Sequence, residues 1–153
     1  MEERPPGIFV AIRGSGRGKS YLFVKHTYSG CLWSLPGGRR KAKEDVSRTG
    51  IRETKAETGL NIRVVRDLGS FRPFKPETSG SRIRLLQGQI KGGELLEHGD
   101  GYETSECKFW DIQKINETDM YPAQYKLVLW ADILIDTDNF YEGPLVYPPF
   151  RRA

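Results

Sequence analysis

The chain has 153 residues, enough for one domain with a hydrophobic core that needs no disulfide or structural metal. Its 37% hydrophobic and 29% charged residues are the composition of an ordinary soluble globular protein. The net charge of +4 is modest, and the basic residues are scattered apart from Arg39, Arg40, Lys41 and Lys43, which argues against nucleic acid as the main partner.

Met1 to Pro6 is too short and too polar for a signal peptide. The longest mainly apolar run, Leu127 to Ile135, contains Asp132 and is far too short to span a bilayer. A cytoplasmic protein with no membrane partner is therefore expected, and monomer or homodimer stays open. Cys31 and Cys107 match no metal-ligand spacing and are expected to be reduced thiols.

Ile8 to Ile12 is a short apolar run that reads as a buried strand. Tyr21 to Lys25 reads as its antiparallel partner, joined by a hairpin turn in the glycine-rich stretch Gly14 to Lys19. That stretch is not a phosphate loop: the Walker motif needs four residues between its first glycine and Gly-Lys-Ser, and Gly14 leaves three. Cys31 to Leu35 is a further short strand, stopped by Pro36, Gly37 and Gly38. A helix follows over Val46 to Thr58, with Gly59 suited to the left-handed residue beyond its end. Ile62 to Phe71 and Arg82 to Lys91 are predicted strands around a loop, Arg72 to Ser81. Cys107 to Trp110 is another short strand. Pro122 opens a second helix reaching about Ile135, and its apolar residues wrap most of the circumference, which predicts burial against a sheet. The proline-rich tail reads as irregular. His26 and His98 read as loop residues and Trp33, Trp110 and Trp130 as core, while Phe71, Phe74 and Tyr102 are aromatic candidates to sandwich a nucleobase.

The first helix is unusual. Apart from Val46 and Ile51 it offers little apolar surface, and Gly50 in its interior costs about 1 kcal/mol relative to alanine. Its carboxylates are the candidate reason for its existence. Glu53 and Glu57 lie four residues apart and so project from one helix face. Two hard carboxylates placed so suit Mg²⁺, which keeps several waters and binds one or two carboxylates plus substrate phosphates. Arg52 is positioned to orient Glu44 or a neighbouring acid through a charge-assisted hydrogen bond. The glycine pair lets the backbone pass close, so the Gly37 carbonyl is a further candidate ligand.

Gly38, five residues, Glu44, seven residues, Arg52-Glu53, then Glu57 and Gly59-Leu60 resembles the Nudix box, G-x5-E-x7-R-E-U-x-E-E-x-G-U, with U a bulky aliphatic residue. Seven of its nine specified positions agree, and Leu32-Trp33-Ser34-Leu35-Pro36-Gly37-Gly38 is similar to the usual lead-in. The two departures are Thr54 at the aliphatic position and Ala56 at the first acid of the Glu-Glu pair.

The resemblance implies an α+β fold, an α/β/α sandwich around a mixed sheet, over a single domain of residues 1–153. It implies a MutT-like, metal-assisted hydrolase that breaks a phosphoanhydride in a nucleoside diphosphate linked to another group, X. Glu53, Glu57 and the carbonyl of Gly37 would hold Mg²⁺, or Mn²⁺ in its place, with Glu44 and Arg52 as orienting residues. Arg39 and Lys25 are candidates to bind the substrate's other phosphate oxygens. In such proteins a downstream loop often supplies the general base or a further metal ligand, and here Glu103 and Glu106 are the candidates. Because Ala56 removes an acid, the alternative is a weakened domain that binds a nucleotide or nucleotide sugar as a sensor.

Overall fold

In a computed structural model, residues 7–15, 19–28, 30–73 and 82–149 are described. The elements in chain order are β1 (Gly7–Ile12), β2 (Ser20–His26), β3 (Trp33–Ser34), β4 (Gly37–Arg39), α1 (Val46–Thr58), β5 (Leu60–Arg72), β6 (Ile83–Gly93), β7 (Thr104–Asp111), α2 (Pro122–Thr137) and β8 (Tyr141–Pro144). They form a mixed five-stranded sheet, β4-β1-β6-β5-β8, and a three-stranded antiparallel sheet, β3-β2-β7. In the larger sheet β1 runs parallel to β6 and β5 parallel to β8, while β4 on β1 and β5 on β6 are antiparallel.

Strand alternation sends side chains to two cores. Ile8, Val10 and Ile12 join Leu22, Leu60, Ile62 and Leu86 in one cluster, with Val46 of α1 packed against it. Ala11 and the partly buried Phe9, on the other face of β1, join the larger cluster that holds Tyr21, Phe23, Phe71, Leu85 and Leu127, Val128 and Leu134 of α2. The helices therefore cover opposite sides of the sheets, giving the expected α/β/α sandwich. Asp132 is 2% exposed within otherwise apolar α2, and its burial raises the carboxyl pKa. It receives hydrogen bonds from Tyr21 Oη at 2.9 Å, Arg13 at 3.0 Å and Lys19 at 3.1 Å, which satisfy the acid and tie the helix to the β1–β2 turn.

Several expectations need correction. Gly14 N–H donates to the Ser20 carbonyl at 2.8 Å and Arg13 bridges Tyr21, so the chain on either side of the glycine-rich stretch meets, while residues 16–18 within it lie outside the described residues. Yet β1 and β2 are not a paired hairpin: β4 and β6 take both edges of β1, and β3 and β7 take both edges of β2. Cys31 adopts φ 55° in a turn, so the next strand begins only at Trp33. Gly37 and Gly38 do not stop the sheet but form β4 on its edge. The tail contains β8, whose terminal Pro144 sits on an edge strand, where a missing N–H is tolerated. His26 is in β2 and buried, whereas His98 does lie in an exposed turn. Cys31 and Cys107 are free thiols. No helix among the described residues is long and apolar enough to cross a membrane.

Helix α1 has the predicted bounds. Asp45 caps its start by accepting from Arg48 N–H at 2.8 Å, and Gly59 at φ 79° ends it with an N–H to the Lys55 carbonyl. Its buried face is Thr49, Gly50, Thr54, Glu57 and Thr58, while Ile51 is exposed. Close approach explains Gly50: a Cβ there would meet Val10 Cγ2 at 3.0 Å and Leu86 Cδ1 at 3.1 Å. The helix lies tight on the sheet through small residues, which brings its acids to the edge strand β4.

Candidate active site

Arg52 organises the acids at the start of the site. Its Nε donates to Glu44 Oε2 at 2.8 Å and its Nη2 to Glu44 Oε1 at 2.9 Å, a bidentate clamp. Its Nη1 donates to Glu53 Oε1 at 2.6 Å, and Nη2 also reaches the Arg39 carbonyl at 3.2 Å. Thr49 Oγ1 adds a bond to Glu44 Oε1 at 2.7 Å. The Arg52 guanidinium, with Thr49, holds the Glu44 carboxyl down at about 2, and the same bond to Glu44 raises the Arg52 pKa. Glu44 is thus a fixed anion that aims Arg52, and Arg52 aims Glu53.

Glu53 lies against the glycine pair. A Cβ on Gly38 would sit 2.6 Å from Glu53 Cδ and 2.8 Å from its Oε1, so only glycine leaves room for this carboxylate. One helical turn on, Glu57 is 3% exposed and accepts from Gly37 N–H at 2.7 Å. Burial pushes the Glu57 carboxyl up to about 8; the Gly37 N–H opposes this, and the charges of Glu53, Glu103 and Asp100 add to it. Among the described residues no hydrogen bond engages Oε2 of Glu53 or Glu57. Nor do they contain a group of three His, Cys, Asp or Glu side chains arranged to hold a metal ion. Ala56 is exposed on this helix, and Thr54, wholly buried, leaves its Oγ1 without a partner.

The two downstream acids separate. Asp100 Oδ1 accepts from the N–H groups of Tyr102, Glu103 and Thr104 at 2.7, 2.9 and 3.0 Å, and the Glu103 carbonyl accepts from Thr27 N–H at 2.9 Å. Burial alone would raise the Asp100 carboxyl, but these donors outweigh it and the pKa falls. The loop so fixed holds Glu103 close enough for its charge to act on Glu57, His26 and Tyr28. Glu106 points elsewhere. Cys107 Sγ donates to the Glu57 carbonyl at 3.1 Å, so its neighbour in β7 faces the opposite side of the sheet. There Glu106 pairs with Lys25 at 3.9 Å, away from the paired glutamates.

A cavity of about 480 Å³ opens beside the glycine pair. Gly37, Gly38 and Arg39 line it, as do the rings of Phe9, Tyr28 and Tyr121, the polar side chains of His26, Ser34 and Gln124, and Arg82. Arg39 is thus at the cavity. Phe71 is instead fully buried against Trp130 and Tyr141, and Tyr102 is 87% exposed and not among the lining residues. Phe74 lies outside the described residues. Sequence reasoning missed His26, Ser34, Gln124 and Arg82. The one available signal was a lone polar residue on an inward position, as Gln124 is in α2 and His26 is two residues beyond Val24 in β2.

The NUDIX domain family model matches residues 3–131. The chain belongs to the NUDIX family. A relative from Mycobacterium tuberculosis named mutator protein MutT4 is 31% identical over 122 residues, covering 77% of this chain and 48% of the relative. A CMP-5'-(N-acetyl-N-hydroxy-3-aminopropyl)phosphonate hydrolase of Streptomyces rubellomurinus is 33% identical over 104 residues, covering 66% of this chain and 50% of that protein. This NUDIX chain therefore spans about half the length of the curated relatives it matches. Among solved structures, an ADP-ribose pyrophosphatase from Streptococcus suis superposes with TM-score 0.67 at 20% identity, covering 93% of this chain and 99% of that one. The NUDIX domain of Shewanella oneidensis NrtR, complexed with ADP ribose, gives TM-score 0.72 at 14% identity, covering 88% and 90%. These two likenesses are of fold.

Proposed function

We propose that residues 1–153 act as one NUDIX domain that hydrolyses a phosphoanhydride in a nucleoside diphosphate linked to a second group, using Mg²⁺. The observation that carries this reading is the pairing of Glu53 and Glu57 against the Gly37–Gly38 backbone, with Arg52 and Glu44 locking the first and Gly37 N–H the second. The donor set fits the metal. Two carboxylates with no third His, Cys, Asp or Glu arranged beside them among the described residues are too few for an all-protein cage, but suit an ion that retains waters and takes the rest of its ligands from phosphates. Glu53, Glu57 and the Gly37 carbonyl would hold Mg²⁺, which when bound neutralises phosphate charge and lowers the pKa of attacking water.

The remaining work falls to the chain's own groups. Glu103, on its preorganised loop, is the candidate to take the proton from water. Arg39 and Arg82, at the cavity, are the cations suited to the other phosphate oxygens. Gly38 puts no side chain between its own backbone and the Glu53 carboxylate. The names of the related proteins share a nucleotide part (CMP, ADP-ribose), which supports a nucleotide substrate of this class.

Ala56 favours a second reading, a nucleotide-binding domain without turnover. A panel of ADP-ribose, nucleotide sugars, nucleoside triphosphates and dinucleoside polyphosphates separates the two. Hydrolysis of at least one, dependent on Mg²⁺ or Mn²⁺ and abolished by Glu57→Gln, is the expected result. Binding without hydrolysis under either metal makes the domain a sensor instead.

A further inference from the structure

Glu103 belongs to a loop built around a single carboxylate. Gly99 and Gly101 flank Asp100 at φ 71° and 78°. A Cβ on Gly99 would collide with the Thr104 backbone, so only glycine fits there. Asp100 Oδ1 takes the three N–H groups of Tyr102, Glu103 and Thr104, and wholly buried Thr104 answers by accepting from Asp100 N–H on its Oγ1 at 3.0 Å. The lowered pKa of Asp100 keeps this acceptor charged, which strengthens each bond. Thr27 holds the same loop from outside. Its N–H donates to the Glu103 carbonyl at 2.9 Å and its Oγ1 to the Tyr102 carbonyl at 2.8 Å. Thr27 lies between His26 and Tyr28, which both line the cavity. In β7, the strand that follows the loop, Cys107 bonds the carbonyl of Glu57. Neither residue at the tip anchors it by its own side chain: Tyr102 is 87% exposed, and among the described residues the exposed Glu103 carboxylate has no hydrogen bond or ion pair.

We propose that Asp100 and Thr27 are positioning residues for hydrolysis, Asp100 fixing the N–H of Glu103 and Thr27 its carbonyl, so that a carboxylate free to take a proton from water is kept beside Glu57. The inference rests on the hydrolase reading above, in which Glu103 is the proton acceptor, and adds what holds that acceptor in place. An exposed loop glutamate would otherwise sample many placements, and a displacement of about 1 Å can cost ~10²-fold in rate. Thr27 brings a second consequence. The residues on either side of it belong to the cavity wall, so the wall that meets the substrate and the loop that carries the proton acceptor are joined through one residue.

Steady-state kinetics on whichever panel substrate turns over, with backbone hydrogen exchange of the metal-free protein, test this. Asp100→Ala should lower kcat about 10- to 100-fold with KM within about twofold, and should speed exchange of the Glu103 N–H at least about tenfold. Asp100→Asn, which keeps an oxygen for the three donors, should recover most of both. Thr27→Val removes one of the two outer bonds at nearly constant shape and should lower kcat about 3- to 10-fold, with Thr27→Ser restoring it. In a Glu103→Gln background, Asp100→Ala should cost less than about twofold more, because a residue that acts through Glu103 has nothing left to position. If Asp100→Ala fails to fold, Thr27→Val in the two backgrounds decides. Equal losses in both backgrounds would make the role merely structural and overturn the proposal. A folded Asp100→Ala at full rate, or a Glu103→Gln that hydrolyses normally, would overturn it too. Those results leave the hydrolase reading intact, whereas no turnover of any panel member by the wild type removes that reading and this one with it.

Discussion

Replacing Glu57 by glutamine turns the burial of this acid into a measurable pH dependence. In the unfolded chain the group titrates near 4.5, whereas burial carries it to about 8 in the folded, metal-free protein. Between about pH 5 and pH 8 the folded state therefore holds a proton that the unfolded state has released, and stability falls as the pH rises. The slope from this group is about 1.4 kcal/mol per pH unit, and the loss levels off above pH 8 at ~5 kcal/mol. Glu57→Gln keeps an oxygen for Gly37 N–H and carries no charge at any pH. Urea unfolding with EDTA at a series of pH values should show wild type and variant nearly matched at about pH 5 and diverging steadily toward pH 8, with the variant more stable. Saturating Mg²⁺ at pH 8 should return more stability to the wild type than to the variant, because an ionised Glu57 binds the ion more tightly than the neutral amide does. Parallel stability curves in EDTA would refute the argument, because they would show that burial does not raise the Glu57 carboxyl.

Thr54→Val removes a fully buried hydroxyl without a partner at nearly constant shape and should stabilise the protein by about 1 kcal/mol, raising Tm by ~2–4 °C in a melt. Gly50→Ala gains about 1 kcal/mol of helix propensity. It also drives a methyl against Val10 and Leu86, which costs ~1–3 kcal/mol, so a lower Tm is expected despite the better helix former. Arg52→Lys cannot clamp Glu44 bidentately while holding Glu53, and should weaken Mn²⁺ binding by about 10- to 100-fold with the fold unchanged by circular dichroism.

How much of this was legible in the sequence depended on whether the signal was local. Helix α1 could be read to its ends because Gly59 stands just past its last residue and the box spacing runs through it, although its apolar pattern was poor. The reason for that poverty, an approach to β1 and β6 so close that Gly50 and threonines serve in place of leucines, needs the sheet to be seen. The separation of β1 and β2 into different sheets was hidden, because a turn between two apolar runs looks the same whether the strands pair or part. The placing of Lys25 and Glu106 away from Glu57 was hidden for a related reason. Their face follows from strand register and from an irregularity between Lys25 and His26, neither of which has a composition signature. His26, between Lys25 and Thr27, and Gln124 carried no local pattern, and only the fold links them through Ser34 and Leu35.

Titration of Mn²⁺ by electron paramagnetic resonance, with and without ADP-ribose, bears most directly on the paired glutamates. The wild type should bind the ion, more tightly when the diphosphate is present, and Glu53→Gln and Glu57→Gln should each weaken it by at least about tenfold. Mn²⁺ binding that both variants leave intact, with or without the nucleotide, would place the ion elsewhere and contradict the account.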